Sequence, residues 1–577
     1  MDSSPARPGD GAGRPPRRSP RSFVPALFIS LRDYGPRSFL ADLVAGVTVG
    51  LVALPLAMAF SISSGLAPEA GLYCAVIAGF IASALGGSRL QVSGPTGAFV
   101  VVVAGIVAQY GIQGLFMCTL MAGVALVVLG LTGLGTAVKY IPRPVVVGFT
   151  NGIAVLIAST QVKDFFGLAI EHVPGEFLAR MRAIGGAWST LSPPTTVLAA
   201  ASLVAIALLA RFMPRVPGAI LILVGGTLAT VGLGLPVETI GSRFGGIPGG
   251  FPAPHVPAFR PELVLTLLSP AMTIALLGAM ESLMSAVVAD RMTGDRHNPN
   301  VELVAQGAAN VVSPLFGGLP VTGAIARTAT NVRAGARSPI SGIVHALTLL
   351  AILLFASAAA RPIPLCVLSA ILFVVAWNMG EWREIPAILR LSKGDKAVWA
   401  ITFFLTVFAD LTVAVEVGMV LAALLYIRKV TATTSLQRIT PEYIARGVAH
   451  VLQGKDIPAG AAIFAIHGPF LYGSADKLVA IDDQLAGLPP VILLRLRNMP
   501  AIDATGLGAL EDLAERLHES GRSLVLCDMR EQPTRLMHMA EFAQHVGPEN
   551  ICPTFDDALR RARVLLAADA PGSSTRT

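Results

Sequence analysis

The feature that most restricts this chain is a succession of apolar runs close to the length of a bilayer-spanning helix, among them LVALPLAMAF, VVVAGIVAQY, LTLLAILLFA and AITFFLTVF. A helix crosses the hydrocarbon core with about 20 predominantly apolar residues, and about a dozen full spans can be counted, with shorter Gly/Pro-broken segments between them. Of 577 residues, 53% are hydrophobic and 14% charged, and mean hydropathy is +0.67. That is too little polar surface to cover a soluble globule. The chain reads as a polytopic α-helical membrane protein.

Basic residues recur at alternate loops: the Arg-rich tail, Lys139 with Arg143, Arg211 with Arg215, Arg291 with Arg296, Arg390 with Lys393 and Lys396, and Arg428 with Lys429. Lys and Arg in short loops favour the cytoplasmic side, so both termini are expected inside, with an even number of crossings. Basic residues divided among membrane loops form no continuous groove, so nucleic acid is not an expected partner despite a pI near 9.3. Five scattered cysteines show no metal-ligand spacing and no disulfide framework. No catalytic triad, Walker loop or cofactor fingerprint occurs, so neither an enzyme nor a metal site is expected.

Composition divides the chain into a basic, Pro/Gly-rich tail (1–38, expected disordered and cytoplasmic), a membrane domain (39–430), a soluble domain (440–567) and a short disordered tail (568–577). In the soluble part AAIFAIHG, VILLRLRN and SLVLCDM read as strands and LGALEDLAERLHESG as a helix closing on glycine, which predicts a small α/β domain.

Within the membrane part, GGSRLQVSGPTGA (86–98) and GGLPVTGAIAR (317–327) both read GG, a few residues, then V-[ST]-G. Paired polar interruptions in two halves are the mark of an inverted-repeat transporter with its site between broken helices. Irregular backbone at membrane depth survives only where protein or water satisfies its polar groups. With Gly94 and Gly323 near the starts of two short helices, free N–H groups and positive dipole ends make an anion site, and Arg327 adds a full charge one turn along.

These segments resemble the SulP (sulfate permease) anion transporters, whose animal relatives include prestin and pendrin. The resemblance rests on ALPLAMAFSISSGLAPEAGLY, GPTGAF, GAMESLMSAVVADRMTG and GGLPVTGAIARTATNVRAGARSPISG, and on IDATGLGAL of a STAS (sulfate transporter and anti-sigma-factor antagonist) domain. It implies fourteen membrane segments in two inverted repeats of seven, a core domain moving against a gate domain as an elevator, and a homodimer with regulatory partners at the STAS domain. It implies substrate contacts at Leu56, Phe60, Gly94, Thr96, Gly323, Ala324, Ala326 and Arg327. Leu56 and Ala326 depart from the glutamine and serine of animal relatives, which leaves more of the binding to backbone amides. Arg327 argues against a bound sodium ion.

Glu281 lies roughly 16 Å of helix rise beyond Pro270 and roughly 13 Å before Asp290, near mid-membrane. Two readings stand: a carboxylate ion-paired with Arg327 to hold the core, or a proton-coupling residue whose neutral form desolvation favours. Arg327 likewise either attracts the anion or balances Glu281. Asp410 and Glu416 read as structural, and His345 as a hydrogen-bonded packing residue. Thr505 stands where anti-sigma antagonists carry a phosphorylatable residue, while Asp503 with Thr505 also reads as a helix N-cap. The expected function is proton-coupled uptake of sulfate or a similar oxyanion across the bacterial inner membrane, with the proton as coupling ion and no cofactor. Alternatives are C4-dicarboxylate or bicarbonate transport, a nucleobase permease, an anion channel, and a membrane-anchored STAS signalling protein.

Overall fold

A computed structural model describes residues 23–135, 142–170, 173–213, 218–258, 260–409, 411–439, 455–478, 481 and 487–568. The chain forms two compact units, Met1–Val420 and Leu421–Thr577.

The first unit is helical. Its first set of segments is α1 (Pro36–Ser63), α2 (Pro68–Leu85), α3 (Gly97–Leu131), α4 (Arg143–Phe166), α5 (Pro193–Phe212) and α6 (Gly218–Gly232). The second set is α7 (Val264–Thr293), α8 (Pro299–Val312), α9 (Ile325–Arg333), α10 (Ile340–Phe355), α11 (Leu365–Met379), α12 (Lys393–Phe408) and α13 (Leu411–Thr433), whose end belongs to the second unit. Helix α3 carries two segments, 97–110 and 112–131, because Gly111 at φ 69° and ψ −177° breaks it. Only glycine takes such a backbone without strain. Seven segments therefore precede seven, as the inverted repeat requires.

Among the described residues seven helices have the length and apolarity to cross a membrane, fewer than the dozen full spans counted from sequence. Short segments account for the difference: α9 has 9 residues, α8 has 14, α6 has 15 and α10 has 16. The tail expected to be disordered through residue 38 is helical at Ala26–Ser30 and again from Pro36, and the Ala26 N–H donates to Gly86 O at 2.8 Å. An apolar ALFIS segment with a backbone partner has reason to order. Residues 1–22, the 568–577 tail beyond Ala568, and Asp410 lie outside the described residues, as does the side chain of Glu416.

Glycines bring helices of the two halves together, as small residues do in membranes. A methyl group on Gly123 of α3 would stand 2.8 Å from Gly307 O of α8, and one on Gly46 of α1 would stand 2.5 Å from Ser341 O of α10.

The two V-[ST]-G motifs form the link between the repeats. Ser93–Gly94 (β1) and Thr322–Gly323 (β2) pair antiparallel, Ser93 with Gly323 and Gly94 with Thr322, all four buried. Their residual backbone bonds are met too: Ala324 N donates to Val92 O at 2.9 Å.

The second unit holds a five-stranded sheet, β3 (Ser435–Ile439), β4 (Ala461–His467), β5 (Val491–Asn498), β6 (Ser523–Cys527) and β7 (Ile551–Cys552), in that order, with β3 antiparallel and the rest parallel. Helices α14 (Ala504–Glu519) and α15 (Glu531–Met539) cover one face and α16 (Phe555–Ala568) the other. Coverage on both faces explains the unbroken burial of VILLRL in β5. Strand β3 lies upstream of the boundary expected at 440, since SLQRI is too polar to announce itself until it pairs with β4.

Candidate functional site

Helix α9 begins after Ala324, whose φ of −93° and ψ of 106° are extended and whose side chain caps nothing. Helix α3 begins after Thr96 in the same way. Both starts thus leave first-turn N–H groups without side-chain caps, and both lie directly after the strands that cross. Two positive helix ends meet at one place.

Arg327 stands at the third position of α9 and is 2% exposed. Helical side chains lean toward the N-terminus, which returns this one to the crossing. Nη2 donates to Pro95 O at 3.2 Å, Nη1 has no hydrogen-bond partner among the described residues, and a methyl group on Gly94 would lie 2.2 Å from Nη1. The buried Thr96 Oγ1 also lacks a partner. Phe60 is buried in α1, and its ring edge, Ile157 Cδ1 and Met379 Sδ surround Gly97, each within 3.4 Å of where a methyl group would stand. Leu56, following the buried Pro55, is partly exposed. The structure therefore gathers Phe60, Gly94, Thr96, Gly323, Ala324 and Arg327 around the crossing, while Ala326 is exposed.

Helix α7 supports the second strand. Ser282 Oγ accepts from Gly323 N at 3.0 Å and bonds Thr322 Oγ1 at 2.8 Å, Thr322 Oγ1 donates to Gly278 O at 3.0 Å, and Ser285 Oγ bonds Thr328 Oγ1 at 2.8 Å. Gly278, Ser282 and Ser285 thus share the face toward β2 and α9. Glu281 falls at the border of that face. It is partly exposed, and among the described residues neither an ion pair nor a hydrogen bond reaches its carboxylate. The Glu281–Arg327 pair considered from sequence does not form, because Arg327 is drawn back to Pro95.

A cavity of about 1350 Å³ opens along the other side of α7, lined by Met280, Met284 and Arg291 and, opposite, by Arg143, Trp377 and Glu381. Arg327 does not line it. Its charge lies behind the helix starts instead. His345 is fully buried, and neither ring nitrogen has a well-formed hydrogen bond, which differs from the bonded packing role expected.

Sequence reading missed a polar stripe in α8. Glu302, Gln306 and Asn310 are buried; Glu302 and Asn310 bond the backbone on the two sides of the crossing, and Gln306 donates to Ser93 Oγ. Their spacing of four residues in an otherwise apolar helix was the available signal.

In the second unit Asp503 caps α14: its Oδ1 accepts from Gly506 N at 2.8 Å and its Oδ2 from Tyr472 N at 2.9 Å. Thr505 is exposed on the first turn. Burial pushes the Cys527 thiol above its ordinary range, with Asp528 adding to the effect, so this cysteine is a packing residue.

The sequence profile of the Sulfate permease family matches residues 39–402, and that of the STAS domain matches residues 455–558. Similar proteins include "Putative sulfate transporter YvdB" of Bacillus subtilis (strain 168), 39% identical over 91% of this chain and 98% of that one. "Bicarbonate transporter BicA" of Synechocystis sp. is 31% identical over 93% of this chain and 98% of its own. Among solved structures, the murine Solute Carrier 26 family member A9 anion transporter in the inward-facing state superposes with a TM-score of 0.83 at 19% identity, covering 93% of this chain and 94% of that one. The transmembrane domain of a cyanobacterium bicarbonate transporter BicA gives 0.59 at 35% identity, over 66% of this chain and 98% of that one.

Proposed function

Because the chain belongs to the sulfate permease family and carries a STAS domain behind its membrane domain, we propose that it is a secondary active transporter of a small oxyanion, sulfate foremost, taken up with a proton. The observation that carries the reading is that, among the described residues, the buried Arg327 Nη1 and Thr96 Oγ1 are both unpartnered, the first against Gly94 and the second at the start of α3, where two uncapped helix starts meet. A buried charge without a partner is costly. An anion held by the first-turn amides of α3 and α9 supplies the missing acceptor.

Glu281 is the proton carrier. Its carboxylate has no donor to favour the ionised form, and an approaching anion favours the neutral acid further. Sulfate with one proton carries a single net negative charge, which Arg327 matches. The cavity between α7 and the α4–α11 side gives the moving core a path to water, and the core slides as an elevator with the helix starts as its cargo hold. We place the protein in the bacterial inner membrane with both termini cytoplasmic, from its alternating basic loops, and as a homodimer with its STAS domain open to regulatory partners.

Bicarbonate is the second reading, favoured by the 31% identity to a protein named as a bicarbonate transporter. Purified protein in liposomes, offered labelled sulfate, succinate and bicarbonate with and without an inward proton gradient, decides between them. Sulfate accumulation driven by the gradient is expected. Sulfate flux indifferent to the gradient would sink proton coupling, and absence of flux for all three anions would sink the transport reading.

A further inference from the structure

Helix α8 begins on an Asn298 cap, whose Oδ1 accepts from Asn300 N and Val301 N. From there Glu302, Gln306 and Asn310 follow one another at four-residue spacing on one face, with 1%, 0% and 0% exposure.

Glu302 is held entirely by N–H donors. Its Oε2 accepts from Gly87 N at 2.9 Å and Ser88 N at 3.0 Å, and its Oε1 accepts from Gln91 Nε2 at 3.0 Å and Gln306 Nε2 at 2.9 Å. Four N–H donors thus fix both carboxylate oxygens in place. The same Gln306 Nε2 donates to Ser93 Oγ of β1 at 2.7 Å. One turn further, Asn310 closes a two-way bond with Val321 just ahead of β2: Nδ2 to Val321 O at 2.8 Å and Val321 N to Oδ1 at 2.9 Å. The Gln91 amide also lies against Gly323, where a methyl group would stand 2.2 Å from Nε2.

One face of one helix therefore grips the backbone leading into both crossing strands. The helix does not need the carboxylate to be seated, since Gly307 already brings it into backbone contact with α3, a methyl group there standing 2.6 Å from Gly123 O. What the carboxylate adds is a fixed path for residues 87–93.

We propose that Glu302 is the positioning residue of the anion site: through Gly87, Ser88, Gln91 and Gln306 it holds β1 against β2 and so sets the gap between the starts of α3 and α9. This deepens the transport reading and rests on it only for its effect on substrate. A gap set from behind fixes affinity and anion size preference without touching the anion.

The test uses full-length protein in liposomes and two variants, Glu302→Gln and Gln306→Met, the second keeping the carboxylate in case the first does not fold. For labelled sulfate, KM rises about ten-fold or more in either variant while the maximal rate per folded transporter stays within about two-fold. Hydrogen exchange reads the positioning with no substrate present: amides in 93–99 and 322–328 exchange about ten times faster, and those of 143–166 keep their rate. Unchanged KM with unchanged exchange overturns the proposal. Exchange that quickens throughout the chain marks a merely structural residue and overturns it as well. Local quickening in the variant of a wild-type protein that moves no anion supports the positioning role and overturns the transport reading alone.

Discussion

The guanidinium of Arg327 rests on Gly94: a methyl group built on that glycine would stand 2.2 Å from Nη1. No side chain fits there unless the arginine moves, and the bond to Pro95 O holds it in place. Gly94→Ala should therefore displace the charge from behind the helix starts and lower sulfate uptake about ten-fold or more, a loss of ~1.4 kcal/mol or more in substrate stabilisation. Uptake normalised to folded protein in the membrane checks this.

Arg327→Ala separates attraction from scaffolding. Among the described residues Arg327 has no ionic partner to leave behind, so the thermal midpoint should hold or rise, as removing an uncompensated buried charge does not weaken a core. Sulfate affinity should fall by about ten-fold more than bicarbonate affinity, because the lost attraction scales with substrate charge. A collapsed midpoint with unchanged affinity would make the arginine a scaffold.

Glu281→Gln keeps shape and removes the titration. Acidifying the outside should drive accumulation in the parent protein and not in the variant, which retains exchange of sulfate across equal pH. A variant that still concentrates sulfate on a proton gradient would remove Glu281 from the coupling.

In the STAS domain, Asp503→Ala removes an N-cap and the acceptor of Tyr472 N together. The expected cost is about 1–2 kcal/mol in unfolding of that domain within the full chain. Thr505→Glu should be neutral or slightly stabilising, since the residue is exposed at a helix start where negative charge is favoured. Denaturant midpoints followed by exchange of the β5 amides measure both.

Alkaline pH gives a further check ahead of α1. Burial, followed by the hydrogen bond to and charge of Asp42, pushes Tyr34 up to about 12. Its folded pKa lies above the unfolded value of about 10, so its contribution is whole below pH ~10 and is lost as pH rises toward ~12. Tyr34→Phe should flatten the alkaline decline in thermal midpoint over that window.

Much of the site was legible in the V-[ST]-G repeat, since polar, glycine-bearing interruptions at membrane depth have few uses. Their pairing partner was not named by sequence, but the shared motif placed Gly94 and Gly323 together. Arg327 was found as a charge in an apolar setting, yet its direction was not. A long side chain leaning toward the N-terminus can reach either α7 or β1, and the Pro95 carbonyl decided. Glu281 was read near mid-membrane with an ion pair to Arg327 as one of two roles, whereas the hydroxyls of Ser282 and Ser285 turn their side of α7 to β2 and leave the carboxylate at its edge. Glu302 escaped notice because hydropathy averages over α8 hide three polar residues, one turn apart, in apolar company. Full spans were overcounted for a related reason: composition marks apolar runs but not where a turn or glycine ends them.

The ladder between β1 and β2 also bears on how the molecule is made. Ser93 and Gly323 are bonded partners from opposite halves of the chain, so when the first seven segments enter the bilayer, the strand at Ser93–Gly94 has no mate. Its amides and carbonyls must wait in contact with water or with insertion machinery until the second half emerges. The proposed anion site is thus the last thing this chain can assemble, and a product truncated before Gly323 would keep most of its membrane helices while lacking that site.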